Sequence, residues 1–510
     1  MKLNRETIKG RLPATFSVPN KSLFELPEKV LQFGTGVLLR GLPDYYIDKA
    51  NKQNVFNGRV VVVKSTGMDV NKFESQDGLF AQCVKGIVEE NVIEEYIINA
   101  AISKVIHAQQ NWKEILKYAE SADMQIIISN TTEIGIELKQ DDDINAAPPE
   151  SFPTKLLAFL HRRFQYFKGS GESGMVIIPT ELIVDNGNKL KEILLELATI
   201  NKLDKRFIEW LNAENDFCNS LVDRIVPGAL KPLEQRAFEK KAGYTDALTI
   251  MSEPYGLWAI ESSSEKTKNI LSFSAVNRTI IITPDINKYR ELKLRLLNAT
   301  HTFSCGLAFL AGFDLVYESM RENVIGKFIK QLMLHEIVPC ITSDAITTKE
   351  ANVFANSVID RFCNPFIKHR WLSISLNYTA KLNMRCVPLI LEYYRKTGKI
   401  PSYMLAGFAA YILFMKPVEV VDGVYYGRSH GNKYRIDDNN AGSFYTLWKN
   451  FSPDAIAQKV LSDHSLWGMD LTTIPGFSAI VKYYLQQFNK SGFKYVLTRL
   501  SYGGKVSNEA

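Results

Sequence analysis

The sequence predicts an α/β domain with a doubly wound, mostly parallel sheet, followed by a second domain that is mainly α-helical. Three observations carry this expectation. Nearly unbroken β-branched runs punctuate the chain up to Pro284, as strands buried on both faces of a sheet do. Amphipathic, helix-periodic segments alternate with them. Beyond Asp285 the strand texture gives way to helix-like segments.

The strands are "KVLQF" (29–33), "RVVVV" (59–63), "MQIIISN" (124–130) and "GMVIIPTEL" (174–182). Between them, "NWKEILKYAESA" (111–122) and "NKLKEILLELATI" (188–200) space apolar residues three and four apart, which places them on one helix face. A last strand, "RTIIIT" (278–283), ends at Pro284. From Tyr289 to Phe414 the segments "YRELKLRLLNATHTFSCGLAFLAGF", "IGKFIKQLMLHEIVPCI", "ANVFANSVIDRF" and "YMLAGFAAYILFM" all read as helix. The expected domains are residues 1–284, of dinucleotide-binding Rossmann type, and 285–510, helical. "KQDDDINAAPPESFP" (139–153) reads as a polar surface loop.

Composition narrows the function classes. A chain of 510 residues exceeds one hydrophobic core. Its 61 Lys and Arg against 55 Asp and Glu leave a net charge of +6, spread too thinly for a nucleic-acid surface yet mildly favourable to anionic small molecules. The N-terminal stretch lacks a signal-type apolar core, and the longest apolar run, 404–415, is too short to span a bilayer. The expectation is a cytoplasmic protein without membrane or nucleic-acid partners. Cys83, Cys218, Cys305, Cys340, Cys363 and Cys386 lie far apart with no CxxC pair, so buried free thiols are expected, not disulfides or a bound metal.

"LQFGTGVLLRG" (31–41) places Gly34 and Gly36 directly after the first strand, where glycines let the backbone approach a pyrophosphate at a helix N-terminus. A third glycine normally follows three residues later; here Val37 to Arg40 intervene before Gly41. Pro43 suggests an offset helix start or a kink. The second strand ends in Lys64 and Ser65 instead of an acid that would hold an adenosine ribose, which leaves NAD and NADP both open, since a lysine there can face a 2′-phosphate.

The densest chemistry is in "ELKLRLLNATHTF", with Lys293, Asn298 and His301. On an α-helix, offsets of five and eight put Asn298 at about 140° and His301 at about 80° from Lys293, on one face. Hydride delivery to a ketone builds negative charge on oxygen, so the site needs a proton donor and hydrogen-bond donors aimed there. A partly desolvated lysine can trade protons near neutrality. The same spacing also suits an exposed lysine, a packed histidine and an asparagine bonded to backbone.

Lys293-x4-Asn298-x2-His301 resembles the catalytic motif of the mannitol dehydrogenase family, the long-chain, zinc-independent polyol dehydrogenases. Further similar stretches are "FGTGVLLRG" (33–41), "QDGLF" (76–80), "SNTTEIGI" (129–136), "NSLVDRIVPG" (219–228) and "EPYGLWAIE" (253–261). "IIPTELIVDNG" (177–187), "LLNATHT" (296–302) and "NPFIKHRWLSISLN" (364–377) resemble the branch of that family acting on keto-uronates. The resemblance covers residues 29 to 480. It implies NAD(H)-dependent interconversion of D-tagaturonate and D-altronate, with Lys293 as acid/base and Asn298 and His301 at the reacting oxygen. It implies cofactor contacts from Phe33, Gly34, Thr35, Gly36, Arg40, Lys64, Asn130 and Thr131.

The polyol enzymes carry a second oxyanion asparagine in a "CDN" stretch where this chain has "TEL" (180–182), so Leu182 cannot serve; the alternatives are that Asn186 substitutes or that Glu181 serves a different substrate contact. Asp223 and Arg224 are candidates for substrate hydroxyls or for an ion pair. A uronate needs a cation for its carboxylate. Candidates are Lys368, His369, Arg370, Lys381 and Arg385, with Lys381 first and Arg385 one helical turn from it. Competing readings are fructuronate or fructose reduction within the same family, and a dinucleotide-binding protein without catalysis. A zinc-dependent dehydrogenase is opposed by the lack of a Cys/His ligand cluster.

Overall fold

The computed structural model describes residues 1–9, 12–67, 70–131 and 135–501. The middle of the "SNTTEIGI" stretch, Thr132 to Ile134, therefore lies outside the described residues. The chain forms two compact units. One comprises Met1–Gly86 with Val92–Ile286; the other comprises Ile87–Asn91 with the residues from Asn287 onward.

The first unit is built on a six-stranded parallel sheet: β1 (Glu28–Phe33), β2 (Arg59–Lys64), β3 (Ile102–His107), β4 (Ile126–Ser129), β5 (Val176–Pro179) and β6 (Asp216–Phe217), in spatial order β3-β2-β1-β4-β5-β6. Side chains alternate across a strand, and the sequence makes both sets apolar. Val30, Val60, Val62, Ile126 and Ile128 enter one core with Leu39, Leu42 and Tyr46 of α1 (Val37–Gly41) and α2 (Pro43–Lys52). Leu31, Phe33, Val61, Val63 and Ile127 enter another with α3 (Ala108–Tyr118), α4 (Phe152–Tyr166) and α5 (Asn186–Ile200). Two covered faces make the sheet doubly wound. The strand order reverses between β1 and β4, the switch point at which such sheets bind ligands.

Several strands depart from expectation. "RTIIIT" does not join the main sheet: Ile280–Thr283 pairs in parallel with Leu257–Glu261, which is antiparallel to Ser220–Asp223. Strands Phe80–Val88 and Asn91–Asn99 belong to a four-stranded sheet with Phe16–Ser17 and Ile250–Ser252. Their polar residues dilute the apolar runs that reveal the other strands.

The second unit is mainly helical. α6 (Asn287–Leu292) continues into a π-helical turn, Lys293–Ala299, and then into α7 (Thr300–Leu310). Further on come α8 (Thr348–Phe362), α9 (Tyr378–Arg385) and α10 (Ser402–Phe414). α10 is apolar on all sides because it is buried on all sides. A Cβ at Gly407 would lie 2.6 Å from the Phe303 carbonyl oxygen, so this glycine lets α10 close onto α7. At its N-terminus the buried Glu336 carboxylate accepts the N–H groups of Tyr403 and Met404, and burial pushes its pKa up to about 8. The helical expectation omitted one feature, a small antiparallel sheet of Glu419–Val421, Val424–Ser429 and Asn432–Arg435. Among the described residues, no helix is long and apolar enough to cross a membrane. The cysteines are free thiols, all buried except the half-buried Cys363.

Candidate active site

In the first unit the glycine turn sits where β1 meets α1, and its glycines have different duties. Gly34 has φ +123°, and a Cβ there would lie 2.9 Å from the Asn130 carbonyl oxygen and 3.0 Å from Leu39 Cδ1. Only glycine fits, since the backbone conformation and the neighbouring β4 end both exclude a side chain. A Cβ at Gly36 would meet nothing within 4 Å. The protein leaves that space open at the start of α1, whose N-terminus has no side-chain cap, so an approaching phosphate meets free room and helix N–H groups. Gly41 takes the third part: its Cβ would lie 2.7 Å from Val226 Cγ2, so the glycine for close packing is displaced along the helix. The helix breaks at Leu42 (φ −126°, ψ −74°) and restarts with Pro43 in its first turn, where proline's missing N–H is harmless.

The turn is braced from below and from the side. Gln32 Nε2 donates to the Gly34 carbonyl oxygen at 3.3 Å and to Asp44 Oδ2 at 3.4 Å, and burial raises the Asp44 carboxyl to about 7. Asn130 donates through Nδ2 to the Thr180 carbonyl and hydroxyl oxygens, both at 3.0 Å. The Thr131 N–H and hydroxyl donate to Glu181 Oε1 at 2.9 and 3.1 Å, and the Ser129 hydroxyl donates to Glu181 Oε2 at 3.0 Å. Thr35 and Lys64 are half-buried, Lys64 ending β2 beside the exposed Ser65 and Thr66. Phe33 packs its ring on Phe152 and offers the turn only its main chain. Gly34, Gly36, Lys64 and the tied-down Asn130 and Thr131 thus suit a dinucleotide.

Three expected contacts in this unit are corrected. Arg40 points into the core: Nη1 donates to the Leu248 carbonyl oxygen at 2.6 Å, and the guanidinium lies over the rings of Phe80 and Phe73. It is no phosphate ligand. Asn186 is fully buried, and its side chain is consumed by the carbonyl oxygens of Pro179, Glu181 and Ser220 and the N–H groups of Gly187 and Ser220. It has nothing left for an oxyanion. Glu181 is spent on the β4 loop as described above, while Leu182 and Val184 are well exposed. Asp223 is buried at the end of its strand, opposite Leu257. Arg224 donates to the carbonyl oxygens of Glu253 and Gly41 and stacks on Tyr45, so it fixes the end of α1. Trp258 is a packing residue stacked on Phe273.

In the second unit, Lys293 and Asn298 lie at opposite ends of the π turn and His301 on the first turn of α7. An α-helical reading puts Asn298 about 140° from Lys293; in a π turn the hydrogen bonds run from i to i+5, so residues five apart align as those four apart do in an α-helix. The irregularity brings the ammonium and the amide onto one line. Both residues are half-buried, whereas His301 is buried. The His301 ring stacks on Phe362 (4.2 Å between centroids) and stands edge-on to His369 (5.2 Å) and Trp371 (6.0 Å). Burial, then the charges of His369, Arg361 and Arg385, hold its pKa well below the usual range. It is therefore a neutral imidazole, and its buried Nε2 has no hydrogen-bond partner.

The candidate cations separate clearly. Lys368 is exposed, and Arg370 forms an exposed ion pair with Asp314. His369 and Arg385 face His301, and Lys381 Nζ donates to the Ile374 carbonyl oxygen at 3.1 Å. Arg361, on α8, is a neighbour of His301 that sequence reading missed. Its signal was present: "DRF" places it beside Phe362, but without the His301–Phe362 stack nothing ties that helix to the motif.

Together these features suit a dinucleotide-dependent oxidoreductase. Residues 28–272 match the mannitol dehydrogenase Rossmann domain and residues 285–489 the mannitol dehydrogenase C-terminal domain. Similar proteins include the altronate oxidoreductases of Halalkalibacterium halodurans (36% identical, covering 88% of both chains) and Bacillus subtilis (35% identical, covering 96% of this chain and 99% of the relative). Among solved structures, a substrate-free D-sorbitol dehydrogenase is similar over 98% of this chain and all of its own (18% identity, TM-score 0.80). So is Pseudomonas fluorescens mannitol 2-dehydrogenase in ternary complex with NAD and D-mannitol, over 99% of this chain and all of its own (20% identity, TM-score 0.66). The chain belongs to the mannitol dehydrogenase family.

Proposed function

We propose that the chain reduces D-tagaturonate to D-altronate reversibly with NAD(H). The observation that carries this reading is Lys293 and Asn298 on a π turn with His301 on the α-helical turn that follows, in a chain about one-third identical to altronate oxidoreductases. Gly34, Gly36, Thr35, Lys64, Asn130 and Thr131 are the residues suited to hold NAD, which when bound supplies the hydride. Lys293 gives its ammonium proton to the oxygen of the substrate ketone as the carbon is reduced, and recovers a proton from solvent; in oxidation it removes the hydroxyl proton. Asn298 donates an amide N–H to the developing alkoxide. Neutral His301 adds an uncharged hydrogen bond, so it orients the substrate without competing as an acid.

The experiment is to follow NADH and NADPH oxidation with D-tagaturonate, D-fructuronate and D-fructose. The expected outcome is fastest turnover of D-tagaturonate with NADH. Fastest turnover of fructose would replace this reading with a polyol dehydrogenase, and preference for NADPH would assign Lys64 to a 2′-phosphate.

A further inference from the structure

The buried arginines of this protein lean on main-chain carbonyl oxygens. Arg59 donates to the carbonyl oxygens of Ala100, Phe24 and Ile102, and Arg163 to those of Ser173, Ala119 and Ser121. Arg40 and Arg224 also donate to carbonyl oxygens, although each keeps one buried nitrogen without a partner. Arg385 leans on none among the described residues. Its one hydrogen bond among the described residues is a long one, 3.4 Å from Nη1 to the Thr302 hydroxyl, and its Nε is buried without a partner. No carboxylate among the described residues forms an ion pair with it. A guanidinium withdrawn from water without a counter-ion carries an uncompensated desolvation cost, and such a cost persists where a ligand supplies the missing anion.

The surroundings say which anion. Thr302 donates its hydroxyl to the Asn298 carbonyl oxygen at 2.8 Å and accepts from Arg385, so one residue ties the guanidinium to the turn that carries Asn298. That bond uses Nη1 and leaves the Nε edge of the fork, the edge that matches a carboxylate in bidentate geometry. The neutral His301, with its own unpartnered Nε2, flanks the same place. Lys381 is a poorer candidate because its ammonium already donates to the Ile374 carbonyl oxygen.

We infer that Arg385, oriented by Thr302, receives the substrate carboxylate and makes the site selective for keto-uronates over uncharged ketoses. This rests on the keto-uronate reading above. Burial lowers the Arg385 pKa and no acidic side chain opposes that shift beyond two thiols, consistent with a cation awaiting its anion.

The test is the ratio of kcat/KM for D-tagaturonate to that for D-tagatose, its uncharged counterpart, with NADH. In Arg385→Met the ratio falls at least about a hundredfold, and Arg385→Lys keeps part of it, because a point charge replaces the fork. Thr302→Val, which removes only the orienting hydroxyl, lowers the ratio about tenfold and serves if the arginine variants do not fold. NADH binding by fluorescence identifies folded enzyme. An unchanged ratio, or equal loss on both substrates, overturns the inference. A wild type that ignores D-tagaturonate overturns the parent reading, whatever the variants do.

Discussion

At the scale of single residues, the nucleotide turn and the π-turn residues each depend on very small features. Lys293→Ala should lower turnover at least about a hundredfold, as loss of a general acid–base does, with NADH affinity nearly intact because the nucleotide turn lies in the other unit. Stopped-flow kinetics with fluorescence titration separates the two effects, and near-normal turnover would remove Lys293 from the mechanism. Gly34→Ala should be harmful in the opposite sense: a Cβ 2.9 Å from the Asn130 carbonyl oxygen at φ +123° costs about 1–3 kcal/mol of strain and should weaken NADH binding first. The sequence made Gly34 legible because glycines after an apolar strand have a mechanical meaning. It did not reveal Arg40 or Asn186, because polar residues beside a motif look the same whether they face a ligand or, as here, carbonyl oxygens in the core.

Among elements, α10 combines an apolar body with a buried carboxyl anchor at its N-terminus. The Glu336 carboxyl holds its proton up to about pH 8 in the folded protein, against an ordinary value of 4.5. The native state therefore binds this proton more tightly than the unfolded chain. The stability it contributes is complete below about pH 4.5 and is lost as pH rises towards and through 8. Urea denaturation at pH 5 and pH 8 should show the wild type weakening more than Glu336→Gln over that interval; equal slopes would mean the carboxyl is not buried in solution. Four of the six main-sheet strands and α10 could be read from the sequence because hydrophobicity reports burial directly, whereas Ile102–His107 and the two-residue Asp216–Phe217 could not. The hairpin at 80–99 and the sheet at 419–435 could not, since polar residues there break the apolar runs. Nor could the π turn, because periodicity assumes that every turn of a helix has the same width.

For the whole molecule, separate cores in the two units mean that ligands stabilise by parts. At a hundredfold excess over its Kd, NADH should stabilise the folded state by about 2.7 kcal/mol, with hydrogen-exchange protection concentrated at residues 33–41 and 129–131. Protection appearing first around α7 and α9 would relocate the cofactor to the helical unit. The division near Ile286 coincides with the change of texture after "RTIIIT", since strand-rich and helix-rich cores draw on different residue patterns.

The π turn at Lys293–Ala299 makes the alignment of the two half-exposed polar side chains a matter of chain length. Removing Ala299, inside the turn but outside the Lys293–Asn298 pair, would let the helix run on as an ordinary α-helix. The lysine would then stand about 140° from the amide about the helix axis and no longer serve the same oxygen. A single-codon deletion there is thus a way for the lineage to lose the reaction while keeping the protein. A stable binder of nucleotide would remain, with no substitution at any catalytic position to betray the change.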